Sequence, residues 1–179
     1  NGLSYQVLHA KKMKAEGKDF KPIFGCEAYF LPSIEKWREE YDQAMLDKKK
    51  ARAAKKAGAS GATVEDEGAS KGKSSNVLRR RRHLVLLAQN QTGLSNLFKL
   101  ISESYTDENF YRFPRMDYKL LKKYGEGIIA SSACLGGVYA GNYWENREEG
   151  TEAVLEAMRD TTRNMVDVFG DRWHGEIQW

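Results

Sequence analysis

Apolar residues recur along the chain in alternating helical and strand-like rhythms. From Gly2 to Glu16, Leu3, Val7 and Ala10 fall at helical spacing opposite a lysine-rich face, which predicts an amphipathic helix closed near Gly17. Lys21 to Phe30 is dense in aromatic and branched residues and too short for a helix, so it predicts a buried strand with Pro22 at its first position. His83 to Ala88 is a second such run. It leads through Thr92 and Gly93 into a helix with Leu94, Leu97, Phe98, Ile101 and Tyr105 on one face. A polar loop holding Phe110, Tyr111, Phe113 and Pro114 follows; Asp117 then caps a short helix ending at Gly125, and Gly127 to Ser132 reads as a third strand. Glu148, Glu149 and Glu152 favour the start of a last helix, with Val154, Met158, Met165 and Phe169 inward, and His174 to Trp179 reads as a fourth strand. Strands alternating with helices predict an α/β fold: a parallel sheet covered by helices, either open and doubly wound or closed into a β/α barrel.

Residues 34–82 break this rhythm. A charged helical run, Glu35 to Lys56, gives way to Gly58-Ala59-Ser60-Gly61, a Gly/Ser/Lys stretch through Ser75 and the run Arg79 to Arg82. So little apolar surface cannot offset ordering entropy, and the segment is expected to be a flexible surface insertion. It carries 14 Lys/Arg against 8 Asp/Glu, so a chain of net charge +4 owes its basic character to this insert alone. The 41% apolar composition over 179 residues supports one sizeable core, which argues against a disordered tail or a disulfide miniprotein. A mean hydropathy of -0.67 and the lack of an apolar run near the length of a membrane span argue against a transmembrane segment. With only two cysteines, far apart, a reducing cytoplasm is the expected compartment.

Three residues are candidates for chemistry. Strand alternation places Ile23, Gly25, Glu27 and Tyr29 on one face, so Glu27 is expected to be a carboxylate among apolar neighbours, which calls for a cationic partner or a metal. A structural salt bridge and a ligand role both fit. His83 heads an apolar strand and fits a metal ligand, a general base or a strand-capping group. Cys134 follows the third strand, just before Leu135-Gly136-Gly137, where α/β folds gather ligands; it reads as a thiolate ligand or as a buried small residue. Neither G-x-G-x-x-G nor a G-K-[ST] run occurs, so nucleotide binding by those motifs is not supported. Arg79 to Arg82 can attract phosphates, but the linear sequence shows no aromatic interleaving of a stacking platform there. His9 and His174 have no identifiable partners.

Taken together, Lys21-Pro22-Ile23-Phe24-Gly25-Cys26-Glu27-Ala28-Tyr29, His83-Leu84-Val85-Leu86-Leu87-Ala88 running to Thr92-Gly93-Leu94-Ser95-Asn96-Leu97, and Gly125-Glu126-Gly127-Ile128-Ile129-Ala130 with Cys134-Leu135-Gly136-Gly137 resemble the PHP (polymerase and histidinol phosphatase) domain of bacterial-type DNA polymerase III alpha subunits. The opening Asn1-Gly2-Leu3, the loop Arg112-Phe113-Pro114-Arg115-Met116-Asp117 and the closing Phe169-Gly170-Asp171-Arg172-Trp173 to Gln178 are similar too. The resemblance implies part of a distorted, seven-stranded, TIM-like β/α barrel, with residues 1–179 lacking the first and last metal-ligand strands and residues 34–82 inserted within it. The family's His-x-His pair, the Asp that follows it, the histidine of Asp-His-Gly and the closing Asp-x-His have no counterpart here, so the isolated segment is expected to be inactive.

The same resemblance implies that Glu27, His83 and Cys134 are metal ligands, with Glu27 and His83 acting in catalysis through the metal. The thiolate favours zinc, with magnesium or manganese as other candidates. The implied activity is DNA-directed DNA polymerisation in replication by a longer chain, with metal-dependent phosphoesterase or 3'-5' exonuclease proofreading in the complete domain. The implied partners are DNA, the remaining polymerase domains, and proofreading and sliding-clamp subunits, with no membrane. Other readings are a non-catalytic scaffold that binds a proofreading subunit, a stand-alone phosphatase acting on a small phosphoester, and a basic nucleic-acid-binding module.

Overall fold

A computed structural model of the chain describes residues 2–56, 77 and 79–178. Helix α1 (Gly2–Ala15) precedes strand β1 (Gly25–Phe30), and α2 (Ile34–Lys56) leaves from the end of that strand. Strand β2 (Arg82–Ala88) is followed by α3 (Gln91–Ser104), a small hairpin of β3 (Phe110–Tyr111) and β4 (Phe113–Pro114), and α4 (Tyr118–Tyr124). Then come β5 (Ile128–Ser131), α5 (Val138–Asn146), α6 (Thr151–Phe169) and the two-residue β6 (Trp173–His174). The Gly/Ser/Lys stretch of the insertion lies outside the described residues.

The four-stranded sheet has the order β1-β2-β5-β6. The expected all-parallel arrangement is not what forms: β2 runs antiparallel to both β1 and β5, and only β5 and β6 are parallel. The reason is that each long connection starts and ends at the same end of the sheet. Phe30, at the end of β1, pairs with Arg82 at the start of β2, and Ala88 pairs with Ile128 in the same way. The segment between β1 and β2 and the segment from α3 to α4 are therefore extended hairpin excursions, not crossovers. Among the described residues the sheet has four strands, short of the seven expected of the barrel.

One face of this sheet carries the core. Ala28 and Phe30 of β1, Leu84 and Leu86 of β2, and Ile128 and Ala130 of β5 pack with Leu97 and Leu100 of α3, Leu121 of α4, Val138 of α5, and Met165 and Phe169 of α6. Full burial of each large side chain contributes about 1.5–3 kcal/mol. The inward stripe of α3 is Gly93, Asn96, Leu97, Leu100 and Ser104, while Phe98 and Tyr105, expected inside, are exposed. The helix is rotated because its first turn presses on the start of β5: a Cβ on Gly93 would lie 1.7 Å from the Gly127 carbonyl oxygen, and Asn96 Nδ2 donates to the Glu126 carbonyl at 3.0 Å.

A smaller cluster of Leu31, Ile34 and Trp37 packs with Tyr41, Val77 and Tyr111, so the first turns of α2 are anchored. Asp117 secures the junction. Its carboxylate caps α4 at the Leu120 N–H (3.0 Å), as the sequence predicts, and also accepts from the Ile34 N–H at the start of α2 (3.1 Å). Helix α5, with Gly137 at its N-cap and Gly141 buried within it, is not among the helices the sequence predicts. Strand β1 begins at Gly25, later than the predicted Lys21, and α1 keeps Leu3, Tyr5 and Leu8 exposed.

Candidate metal centre

The face of the sheet opposite the core holds the candidate chemistry. Strand alternation sends Cys26, Ala28 and Phe30 toward the core and Glu27 and Tyr29 to the other side, and the register sets Tyr29 opposite His83 and Glu27 opposite Val85. Glu27 and His83 are thus diagonal neighbours on adjacent strands, within reach of long side chains. His83 Nδ1 lies 2.6 Å from Glu27 Oε1.

Cys134 arrives from the turn after β5. Ala133 adopts a left-handed conformation (φ 57°), the Gly137 N–H donates to the Cys134 carbonyl at 2.8 Å, and the His83 N–H donates to the Gly136 carbonyl at 2.8 Å. This ties the turn to β2 and brings Cys134 Sγ to 3.5 Å from His83 Nδ1; the Gly136 N–H donates to the same sulfur at 3.4 Å. One donor atom each from Glu27, His83 and Cys134 therefore lies within 4.8 Å of the others.

Glu27 differs from its sequence expectation in one respect. Its side chain is 54% exposed, not buried among apolar neighbours. The alternation argument assigned the correct face-mates but the wrong face: Ala28 and Phe30, not Gly25 and Tyr29, point to the core.

A carboxylate oxygen, an imidazole nitrogen and a sulfur form a donor set that suits a borderline-soft divalent ion with an open fourth position. Glu27, His83 and Cys134 would hold such an ion through one donor atom each, with Glu27 and His83 parting from their direct contact to admit it. The imidazole Nδ1–H donates to the Glu27 carboxylate.

The two cysteines are chemically distinct. Burial pushes the Cys26 thiol up to about 11, so almost none of it is thiolate at pH 8, whereas Cys134 lies beside the imidazole on the open side of the sheet. Iodoacetamide at pH 8, followed by peptide mass spectrometry, is expected to label Cys134 at least ten times faster than Cys26.

Sequence reasoning set Tyr29 on the face of Glu27 but did not single out Arg81 or Glu176. The Tyr29 ring sits 5.5 Å from that of His83, Arg81 stacks its guanidinium on Tyr29 (4.9 Å) and Phe113 (4.1 Å), and Glu176 meets Ser131 Oγ at 2.5 Å, which holds its carboxylate below the usual range. The same parity, extended back from His83, could have placed Arg81 beside them; nothing local signals Glu176, which reaches Ser131 through the β5-β6 pairing. Arg80 and Arg82 pair with Glu40 and Glu145, so this arginine run is engaged in structure. His9 and His174 are not in the cluster.

The sequence matches the PHP domain family over residues 4–178. The chain belongs to the PHP domain family. This PHP domain is 35% identical over 168 residues to the DNA polymerase III subunit alpha of Aquifex aeolicus, covering 94% of the chain and 11% of that protein. It is 32% identical over 161 residues to the corresponding subunit of Chlamydia muridarum, covering 88% of the chain and 9% of the relative. A stretch of 110 residues, 58% of the chain and 9% of the relative, is 42% identical to the Helicobacter pylori subunit. The PHP domain thus spans about a tenth of the length of these curated relatives. Among its described residues, no helix is long and apolar enough to cross a membrane.

Proposed function

We propose that this PHP domain belongs to a replicative DNA polymerase and that Glu27, His83 and Cys134 hold a divalent metal, zinc in preference to magnesium or manganese, for phosphoester hydrolysis in the manner of a 3'-5' exonuclease. The observation that carries this reading is the convergence of three ligand-type side chains from β1, β2 and the turn after β5. Their identity supports it: a sulfur in the set is a poor choice for magnesium and a good one for zinc. A bound divalent ion would supply Lewis acidity toward a phosphodiester oxygen and an acidified water.

The chain's own residues supply the rest. Glu27 contributes hard oxygen and His83 a ring nitrogen, two atoms that already meet at 2.6 Å. Tyr29 flanks that ring, and the turn hydrogen bonds hold Cys134 in place. In this reading, residues 1–179 form part of the domain and residues 34–82 are a basic insertion in it. Polymerisation is the work of other domains in a cytoplasmic, multi-domain chain whose partners are DNA and the proofreading and sliding-clamp subunits.

The test is metal content by mass spectrometry together with 3'-5' exonuclease assay on the full polymerase chain. Glu27→Ala, His83→Ala and Cys134→Ala are each expected to lower zinc affinity and hydrolysis by about 100-fold, while DNA synthesis persists. A well-folded chain that holds no metal and whose hydrolysis is unaffected by the three substitutions would overturn this reading in favour of a structural scaffold.

A further inference from the structure

The exposed side of α2 turns toward the β3–β4 hairpin and leaves an open groove of about 680 Å³. Lys48, Lys49 and Arg52 line it from the helix and Arg112 from the hairpin, against one carboxylate, Asp42. Elsewhere in the domain several cations are paired: Arg80 with Glu40, Arg82 with Glu145, and Arg159 and Arg163 with glutamates of α6. Among the described residues, none of the four groove cations has an ion-pair partner.

The groove is not merely basic. Tyr111 forms part of its wall, fixed by the edge of Tyr41 at 4.7 Å, and Met45 and Leu46 are 40% and 52% exposed beside it. Arg112 is held at φ 58°, a left-handed conformation that is unfavourable for arginine, with its guanidinium 5.6 Å from the Tyr111 ring. Strain of this kind persists where surrounding structure enforces it, and here it presents a cation next to an aromatic face at the groove's edge.

We propose that this groove binds the backbone and bases of single-stranded nucleic acid, with Lys48, Lys49, Arg52 and Arg112 contacting phosphates and Tyr111, Met45 and Leu46 contacting base faces. Cations in a groove attract any polyanion, but the aromatic and apolar wall fits a ligand that carries flat apolar faces along with its phosphates, which a duplex keeps stacked inside and an acidic peptide lacks. Beyond the groove, a row of side-chain contacts leads from Tyr111 toward the triad. Phe113, register partner of Tyr111 in the hairpin, packs edge-on against Tyr29 at 5.4 Å, and Arg81 covers both rings. A strand leaving the groove across the hairpin meets Arg81 and then the His83 side of the sheet.

This inference rests on the same substrate class as the proposed function but not on metal binding, so it is tested in EDTA. Fluorescence anisotropy with labelled oligothymidine of about 12 nucleotides, a length within the usual site sizes, is measured across a salt series. Lys49→Gln/Arg52→Gln is expected to weaken binding about tenfold and to flatten the salt slope by about 1.4, the value for two lost phosphate contacts on a single strand. Lys12→Gln/Lys14→Gln on the exposed α1 removes the same charge elsewhere and is expected to change affinity less than twofold. Equal loss in the two double variants would overturn the proposal in favour of general charge attraction. So would duplex DNA binding as tightly as the single strand, or poly-glutamate competing as well as the oligonucleotide. Binding that survives in a chain shown to hold no metal would support the groove while overturning the metal reading alone.

Discussion

Replacing Arg115 with alanine is expected to destabilise the domain by about 4 kcal/mol, read as a shift of the urea unfolding midpoint. Arg115 is fully buried, and among the described residues its guanidinium donates to three backbone carbonyls: Arg80 at 3.2 Å, Tyr111 at 2.9 Å and Phe113 at 3.0 Å. It also lies 4.1 Å over the Trp37 ring. One side chain thus ties together the approach to β2, both strands of the hairpin and the first turns of α2. Removing it strips donors from buried carbonyls, each costing about 1–3 kcal/mol, and leaves a void beside Trp37. Burial, reinforced by Arg81 and Arg38, pulls its ionisation down to about 10, so it stays protonated at pH 7 while carrying a desolvation cost. Because the folded value lies below the unfolded one, that cost is fully present across the neutral range and is relieved only as pH rises above about 10. Arg115→Lys keeps the charge but cannot reach three carbonyls in a plane, so it should remain well below wild type. Recovery of full stability by lysine would show that charge, not the fork of donors, matters.

Gly137→Ala is expected to cost about 3 kcal/mol, at the upper end for overpacking, and, under the proposed metal reading, to lower zinc affinity with it. A Cβ at this position would sit 2.0 Å from the Ser132 carbonyl oxygen and 2.8 Å from that of Cys134. Both neighbours are backbone atoms of the turn that carries the sulfur, so the clash cannot be relieved by a rotamer change. The turn must open, and Cys134 moves away from His83. Thermal unfolding and zinc titration of the same variant check the two effects. Wild-type zinc affinity in a destabilised variant would mean that the position of Cys134 does not depend on this turn.

The candidate triad was legible because it resides in short, character-rich blocks. Glu27, His83 and Cys134 stand in strand-like runs or just after one, and the resemblance of those runs to PHP sequences names all three without knowledge of their distances. The direction of β2 was not legible. Periodicity records which side chains share a face and is blind to whether neighbouring strands run up or down. The exposure of Glu27 was lost for a related reason: alternation sorts residues into two sets, and only packing against α3, α4, α5 and α6 decides which set is inside. In α3 the inward Gly93, Asn96 and Ser104 contradict a hydrophobic stripe because they mark close approach and local hydrogen bonding, not apolar burial.

The antiparallel seating of β2 bears on how this domain tolerates change. The chain between β1 and β2 departs and returns at one point, and its two ends are joined there by the Trp37 indole N–H donating to the Val77 carbonyl at 2.8 Å. A loop pinned at its base can be lengthened at little thermodynamic expense, since doubling its length adds only about 0.6 kcal/mol of closure entropy. Residues can accumulate or vanish between these anchors without moving a single strand out of register. Natural variation in PHP domains at this junction should therefore be dominated by insertions and deletions, while the flanking strands vary by substitution alone.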